Sequence, residues 1–249
     1  MIKKSITYLI LVLFFFVGCK KENALDCFKS TGSDITETRD LGAFTKITIY
    51  DNIDLNISKG TYFKVDVVAG KHIIKNIKTT VADGVLSIEN NNKCNFVRGY
   101  KRRVTVNVTM PYIVKAESQS VGTIRFADDF TQDTLQVRAE NSGDIYVNGV
   151  FNEVRTSSHG NGDIYVSGTC NRLFGFMYGT NILQAENLII NSYVFVETIS
   201  IADCFINAPV NGPLEYNIWR SGNIYYRGNP TQINSFSNNA GKGQLIKLD

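Results

Sequence analysis

The sequence predicts an all-β fold, a single-stranded parallel β-helix (β-solenoid) of about 20 residues per coil, and three observations carry that prediction. An octet recurs: Ser142-Gly143-Asp144-Ile145-Tyr146-Val147-Asn148-Gly149 returns as Asn161-Gly162-Asp163-Ile164-Tyr165-Val166-Ser167-Gly168 and again as Ser221-Gly222-Asn223-Ile224-Tyr225-Tyr226-Arg227-Gly228. Apolar residues alternate with polar ones over most of the remaining chain, and no apolar stripe of helical period persists for ten residues. The 249 residues include 20 Gly and 12 Tyr with abundant Asn but only 2 His, an inventory rich in turn and strand formers and poor in catalytic bases.

The chain opens with a short basic segment, Met1-Ile2-Lys3-Lys4, and an apolar run from Ile6 to Val17. The run is shorter than the ~20 residues that span a hydrocarbon core but suits the h-region of a secretory signal. Its ending, Phe16-Val17-Gly18-Cys19, resembles a bacterial lipobox. That resemblance implies cleavage before Cys19, acylation of its thiol and new amino terminus, and a membrane partner through the lipid, since two or more acyl chains anchor stably. The expected organisation is a signal peptide over 1–18, lipidated Cys19 and a polar tether over 19–38, and one solenoid domain over 39–249. Loss of Lys3 and Lys4 leaves 24 Lys+Arg against 23 Asp+Glu, so no charge excess of the kind that binds nucleic acid remains.

From Phe44 the alternation is strict: Ile47 and Ile49, then Ile53, Leu55 and Ile57, then Phe63, Val65 and Val67. Asp83-Gly84 between two such runs predicts a two-residue hairpin. The brief basic cluster Arg98, Lys101, Arg102 and Arg103 reads as a solvated loop or a protected strand edge leading into Val104-Thr105-Val106-Asn107-Val108. No period of 20 is visible over 40–115, where an antiparallel sandwich is the alternative to the solenoid.

In the second half, Val121-Gly122-Thr123-Ile124-Arg125-Phe126-Ala127 and Tyr178-Gly179-Thr180-Asn181-Ile182-Leu183 are weaker copies, so the leading glycines fall at 122, 143, 162, 179 and 222. The last gap fits two units, with the copy missing its glycine inside Val194 to Ile206. Stacked coils lie ~4.8 Å apart and align equivalent residues in ladders. Ile124, Ile145, Ile164 and Ile224 should form one inward ladder, with Phe126, Val147, Val166 and Tyr226 beside it. Glycines framing each octet allow positive φ or close backbone approach at corners. Asp144, Asp163 and Asn223 just past the corner should hydrogen-bond local backbone. Leucine-rich repeats would need a Leu scaffold and an Asn ladder, and a propeller blade is about twice as long.

The octets ending in Gly228-Asn229-Pro230, with Arg39-Asp40-Leu41-Gly42-Ala43-Phe44-Thr45-Lys46-Ile47, resemble the auto-transporter adhesin, head-GIN domain family over roughly residues 38–248. The resemblance implies a right-handed parallel β-helix on an envelope lipoprotein of Bacteroidetes-type bacteria, and brings no catalytic residues with it. Phe174-Gly175-Phe176-Met177-Tyr178 and Tyr193-Val194-Phe195-Val196 depart from the pattern by placing bulky residues where small corners are expected.

Candidate chemistry is limited. Asp144 and Asp163 occupy equivalent positions one coil apart, so their carboxylates could approach within ~5 Å, the separation used by retaining glycosidases. A role as backbone-bonding turn residues explains them without catalysis and is the preferred reading, and further oxygen ligands for a cation are missing. His72 and His159 read as loop residues with no nucleophile or metal partner at a recognisable spacing. Cys27, Cys94, Cys170 and Cys204 are widely spaced, and the latter two lie in apolar strands as buried thiols. Tyr146, Tyr165 and Tyr225 point outward with Arg125, a candidate ligand-contact strip for a sugar or a protein. No phosphate-binding glycine loop occurs and no cofactor is implied. The expected function is a lipid-anchored, non-enzymatic adhesion or binding scaffold in the cell envelope, with polysaccharide or a surface protein as partner. A carbohydrate-active enzyme using Asp144 and Asp163 is the alternative.

Overall fold

The computed structural model describes residues 30–93, 103–128, 130–236 and 240–249. The signal segment, Cys19, Cys27, Cys94, Arg98, Lys101 and Arg102 lie outside the described residues. Among the described residues, eighteen strands form one continuous sheet wound into a β-solenoid.

The second half is the regular part. Strands β10 (Phe130–Ala139), β11 (Ile145–Ser158), β12 (Ile164–Met177) and β13 (Leu183–Thr198) stack in parallel and are long because each bends from one face of the coil to the next. Short strands β14 (Cys204–Asn207), β15 (Pro213–Ile218), β16 (Ile224–Arg227), β17 (Gln232–Ser235) and β18 (Leu245–Lys247) complete the last coils. On the first face the predicted ladder forms, and it is longer than the octets indicated: Ile124, Ile145, Ile164, Leu183, Cys204 and Ile224 align one above another, all at 0% exposure. Phe126, Val147, Val166 and Tyr226 are buried beside it. On the second face Val137, Thr156, Gly175, Val196 and Tyr216 align in the same way.

The register corrects the reading of the weak copies. Ile164 pairs with Leu183, so Asn181, not Gly179, occupies the corner equivalent to Gly162. Gly179 instead stacks on Gly160. Cys204 pairs with Leu183 and Ile224, which makes Ala202 to Asn207 the copy that lacks a glycine. The bulky residues at 174–178 and 193–196 are not corners. They alternate in and out within β12 and β13, and the length difference between those strands is absorbed by two register shifts.

Over 40–115 the solenoid reading holds, with antiparallel additions. Strands β2 (Lys46–Asp51) and β3 (Ile53–Lys59) make one coil, which pairs in parallel with β6 (Val85–Asn90) and β7 (Val104–Met110) on one side and with β8 (Lys115–Ser120) and β9 (Ile124–Phe126) on the other. The coils here stack out of chain order, which is why no period showed. Strand β4 (Lys64–Gly70) runs antiparallel to β7, and β5 (Ile77–Ala82) antiparallel to β6. The β5–β6 hairpin turns at Asp83-Gly84 with φ of 51° and 71°, the doubly positive turn expected of that dipeptide. Strand β1 (Asp34–Arg39) pairs antiparallel with β4, so the sheet begins inside the stretch read as tether. Its residues, DITETR, are mostly exposed on both sides and carry no alternation to find. These antiparallel strands close one end of the stack, where a free parallel edge would otherwise invite pairing.

Two glycines show what the corners require. A Cβ at Gly162 would overlap the Gly143 carbonyl of the coil below, and Gly168 adds a φ of +98° to a similar overlap with Gly149. Neither clash can be relieved by a rotamer change, because backbone is the obstacle on both sides. Gly162→Ala is expected to cost roughly 1–3 kcal/mol. Gly42→Ala, where a Cβ meets nothing within 4 Å, should stay within about 0.5 kcal/mol. Denaturant midpoints of the two variants measure the difference.

Candidate functional site

The residues that point outward from the first face form a strip across the coils. Arg125, Tyr146, Tyr165, Gln184, Phe205 and Tyr225 are in register, so the predicted contact residues are brought into one line and extended by two that the octets did not flag. Phe205 lies in the copy without a glycine, which hid it. Tyr146 and Tyr165 stack with centroids 4.5 Å apart and planes 2° apart, and the Arg125 guanidinium sits 4.0 Å from the Tyr146 centroid. Phe205 and Tyr225 stack at 5.1 Å and 10°. A shallow depression between Arg125, Asp128, Tyr146, Asn148, Tyr165 and Ser167 runs along the strip, about 290 Å³ in volume.

Both faces of the Tyr146 ring are therefore covered, by Tyr165 and by Arg125, and so is one face of Tyr165. What the strip offers a partner is ring edges, phenol hydroxyls and amide groups.

Asp144 and Asp163 are adjacent as predicted, but their bonds are not local. The Asp144 carboxylate accepts the backbone N–H of Asp163 at 2.9 Å, and Asp163 accepts that of Ile182 at 2.8 Å. Asp54 accepts Thr123 N–H, Asp203 accepts Asn223 N–H and Asn223 accepts Gln244 N–H in the same manner, at 2.7–2.9 Å. Each side chain thus satisfies a donor of the next coil. The second oxygens of Asp144 and Asp163 face the hydroxyls of Tyr146 and Tyr165, each at 3.4 Å. The pair is built as an inter-coil clamp.

A third polar ladder was legible and overlooked. Asn152, Asn171 and Asn191 recur at intervals of 19 and 20 residues and pass side-chain hydrogen bonds at 2.9 and 3.1 Å.

The second face carries what the octets could not show. Its outward residues begin with ion pairs, Lys115–Glu117, Arg138–Glu140 and Glu153 between Arg155 and Arg172. They give way along the stack to Phe174, Phe176, Tyr178, Tyr193 and Phe195, whose rings meet at tilts of 43–54°. Glu197 accepts the Tyr178 hydroxyl at 2.7 Å, the Asn217 amide at 3.1 Å and the Trp219 indole N–H at 3.3 Å. Burial pushes the Glu197 carboxyl up, and these three bonds outweigh it, holding the group below the usual carboxylate range. Glu215 accepts the Tyr193 hydroxyl.

His72 and His159 are exposed, as expected. His159 contacts Glu140 at 3.2 Å and the Tyr178 ring at 5.1 Å. Arg103, the described member of the basic cluster, pairs with Asp54 at 3.1 Å. Cys170 and Cys204 are free and buried on different ladders. Among the described residues no three His, Cys, Asp or Glu converge on a metal-sized space.

A parallel solenoid with outward ladders defines a class of protein, and comparison places the chain within it. Residues 43–230 match the family model described as "Putative auto-transporter adhesin, head GIN domain", and the chain belongs to that family. Its fold is shared with a crystal structure of a "putative adhesin" from Bacteroides fragilis, at 21% identity and TM-score 0.73 over 87% of this chain and 97% of that one. It is shared also with a structure from Parabacteroides distasonis described as a "putative lipid binding protein", at 15% identity and TM-score 0.66 over 88% and 98%. A "putative adhesin" from Parabacteroides merdae matches at 14% identity and TM-score 0.59 over 88% and 98%. No protein of curated function matches the chain.

Burial pushes the Cys170 and Cys204 thiols up to about 12. Tyr165 reaches about 12 through burial and the carboxylates of Asp163 and Asp144 together with Tyr146, and Tyr178 and Tyr193 reach the same value through burial and their bonds to Glu197 and Glu215. All five groups bind their proton more tightly folded than unfolded. Their contribution to stability is complete below the ordinary thiol and phenol values of 9.0 and 10.0 and is lost as pH rises toward 12. The denaturant midpoint is therefore expected to fall steadily above about pH 9. Tyr165, Tyr178 and Tyr193 should ionise only near pH 12 in an absorbance titration, and both described thiols should resist a thiol reagent until the chain unfolds.

Proposed function

We propose that the protein is an adhesin-like binding scaffold of the cell envelope, an outer-membrane lipoprotein held through lipidated Cys19. The strip of Arg125, Tyr146, Tyr165 and Tyr225 contacts a polysaccharide or another surface protein. The observation that carries this reading is the in-register outward ladder, a flat array of aromatic edges, hydroxyls and one guanidinium on a rigid support. Tyrosine and arginine at such positions offer large contact area at small entropic cost. The family description and the names of the similar structures support the same role.

The alternative, polysaccharide cleavage by Asp144 and Asp163, has the geometry against it. A catalytic acid or nucleophile needs an oxygen free to meet substrate, whereas one oxygen of each carboxylate accepts a backbone N–H and the other faces a tyrosine hydroxyl.

Detergent-solubilised full-length protein should retain a partner from a panel of envelope polysaccharides and surface proteins without shortening any glycan. Tyr146→Ala with Tyr165→Ala should weaken that retention about tenfold or more. Glycan shortening that disappears in Asp163→Asn would overturn the scaffold reading. For the anchor, Cys19→Ala should release the protein or leave an unprocessed precursor, read by membrane fractionation and mass; unchanged fractionation and maturation would refute it.

A further inference from the structure

One edge of the second face differs from the rest of the surface. His159, Tyr178, Ile199 and Trp219 hold equivalent positions on successive coils, each just past a ladder residue and each donating its backbone N–H to the coil before at 2.8–2.9 Å. Two coil steps separate Tyr178 from Trp219, a distance of about 10 Å along the solenoid axis. Ile199 lies between them at 39% exposure, and Ile201 beside it at 62%. Trp219, the chain's one tryptophan, is 43% exposed, and among the described residues no other ring or cation packs on it. Glu197 lies on the coil between the two aromatics and accepts a hydrogen bond from each, so a single carboxylate fixes both.

Beside this line is a cleft of about 380 Å³ lined by Asn161, Tyr178, Thr180, Ile199, Ile201 and Arg220. It presents an amide, two hydroxyls and an apolar floor. Arg220 makes no ion pair among the described residues, and His159 also lines the cleft.

We propose that this line is a binding site for an extended β-linked polysaccharide that lies across the coils, parallel to the solenoid axis. The inference rests on the binding-scaffold reading and adds the ligand class and its place. In an extended β-linked glycan, sugar rings that present the same face recur once per disaccharide. The Tyr178–Trp219 separation matches that repeat, with Ile199 under the intervening ring. The apolar faces of sugars pack on aromatic side chains whose own faces are open, a condition that Trp219 meets, while Tyr178 carries the His159 ring at 5.1 Å. Hydroxyls of the glycan have Asn161, Thr180 and Arg220 as partners. A membrane surface is the weaker fit, since anionic lipid recruits clusters of Lys and Arg and this edge has one.

The single tryptophan makes the test direct. Titrating the detergent-solubilised protein with cellohexaose and with the hexamer of β-1,4-linked N-acetylglucosamine should shift Trp219 fluorescence saturably with at least one of them. Retention on the corresponding immobilised glycan should fall at least about tenfold in Trp219→Ala. Trp219→Phe, which keeps an apolar ring, should restore most of the retention, and Tyr62→Ala, an exposed ring far along the sequence, should leave it unchanged. Retention that is unaltered in Trp219→Ala, or no binding of either hexamer by the wild type, overturns the assignment. A saturable shift of Trp219 fluorescence by phosphatidylglycerol vesicles in Cys19→Ala protein, with no shift by either hexamer, overturns it in favour of a lipid surface. In none of those cases does the scaffold reading fall. That reading fails on shortening of the hexamers, which the same incubations report.

Discussion

The structure depends on one constraint, the close parallel approach of each coil to the one before it. Coils about 4.8 Å apart bring the backbone of successive corners into contact, and most of the corners are glycine. The backbone at Gly162 therefore lies against the Gly143 carbonyl, and Gly143 against that of Gly122. Once the corners are fixed, register is fixed, and every other residue aligns with its equivalent above and below. A shift by one residue would carry Ile145, Ile164 and Leu183 to the solvent side together. The apolar ladder consequently holds the stack collectively, since no coil can bury its inner face alone.

The polar residues obey the same constraint in another form. A backbone N–H at a corner loses water and needs an acceptor. Asp54, Asp144, Asp163, Asp203 and Asn223 supply one to the next coil each time. This explains why Asp and Asn interchange at that position: the acceptor oxygen is common to both, while a catalytic role would require the acid. Alignment also makes the outer surface periodic. Where equivalent residues are all planar, as at Tyr146 and Tyr165, they stack face to face and withdraw their faces from solvent. Where shapes alternate, as at Tyr178, Ile199 and Trp219, the two aromatics are kept apart, and no ring among the described residues covers Trp219. The two aromatic surfaces of the protein are thus unlike in chemistry although both arise from the same repeat.

Much of the fold was legible because repetition leaves a trace. The octets announce the first face, and the inward positions within them are correct residue by residue. The copy at Ala202 to Asn207 was harder to place, because Asp203-Cys204-Phe205-Ile206 keeps the in–out pattern and loses the glycine. The corner at Asn181 keeps the 19-residue spacing that separates Gly143 from Gly162 but carries no glycine, while Gly179, the nearest glycine, stacks on Gly160 instead. The Asn ladder at 152, 171 and 191 was in plain view, with a spacing equal to that of the octets. Strand β1 left no signal, since an edge strand wet on both sides has no reason to alternate.

Composition and periodicity by themselves determined the all-β class, the coil length, the inward ladder of the first face and the pairing of Tyr146 with Tyr165 and Asp144 with Asp163, because each of these repeats along the chain. The tertiary structure decided the rest. It set the out-of-order stacking of the β2–β3, β6–β7 and β8–β9 coils, closed one end with antiparallel strands, and gave the Asx side chains to the neighbouring coil instead of to their own turn. It also gathered Tyr178, Ile199, Trp219 and Glu197 into one edge. These are relations between residues on different coils that share no motif, and only the physical register of the stack brings them within reach of one another.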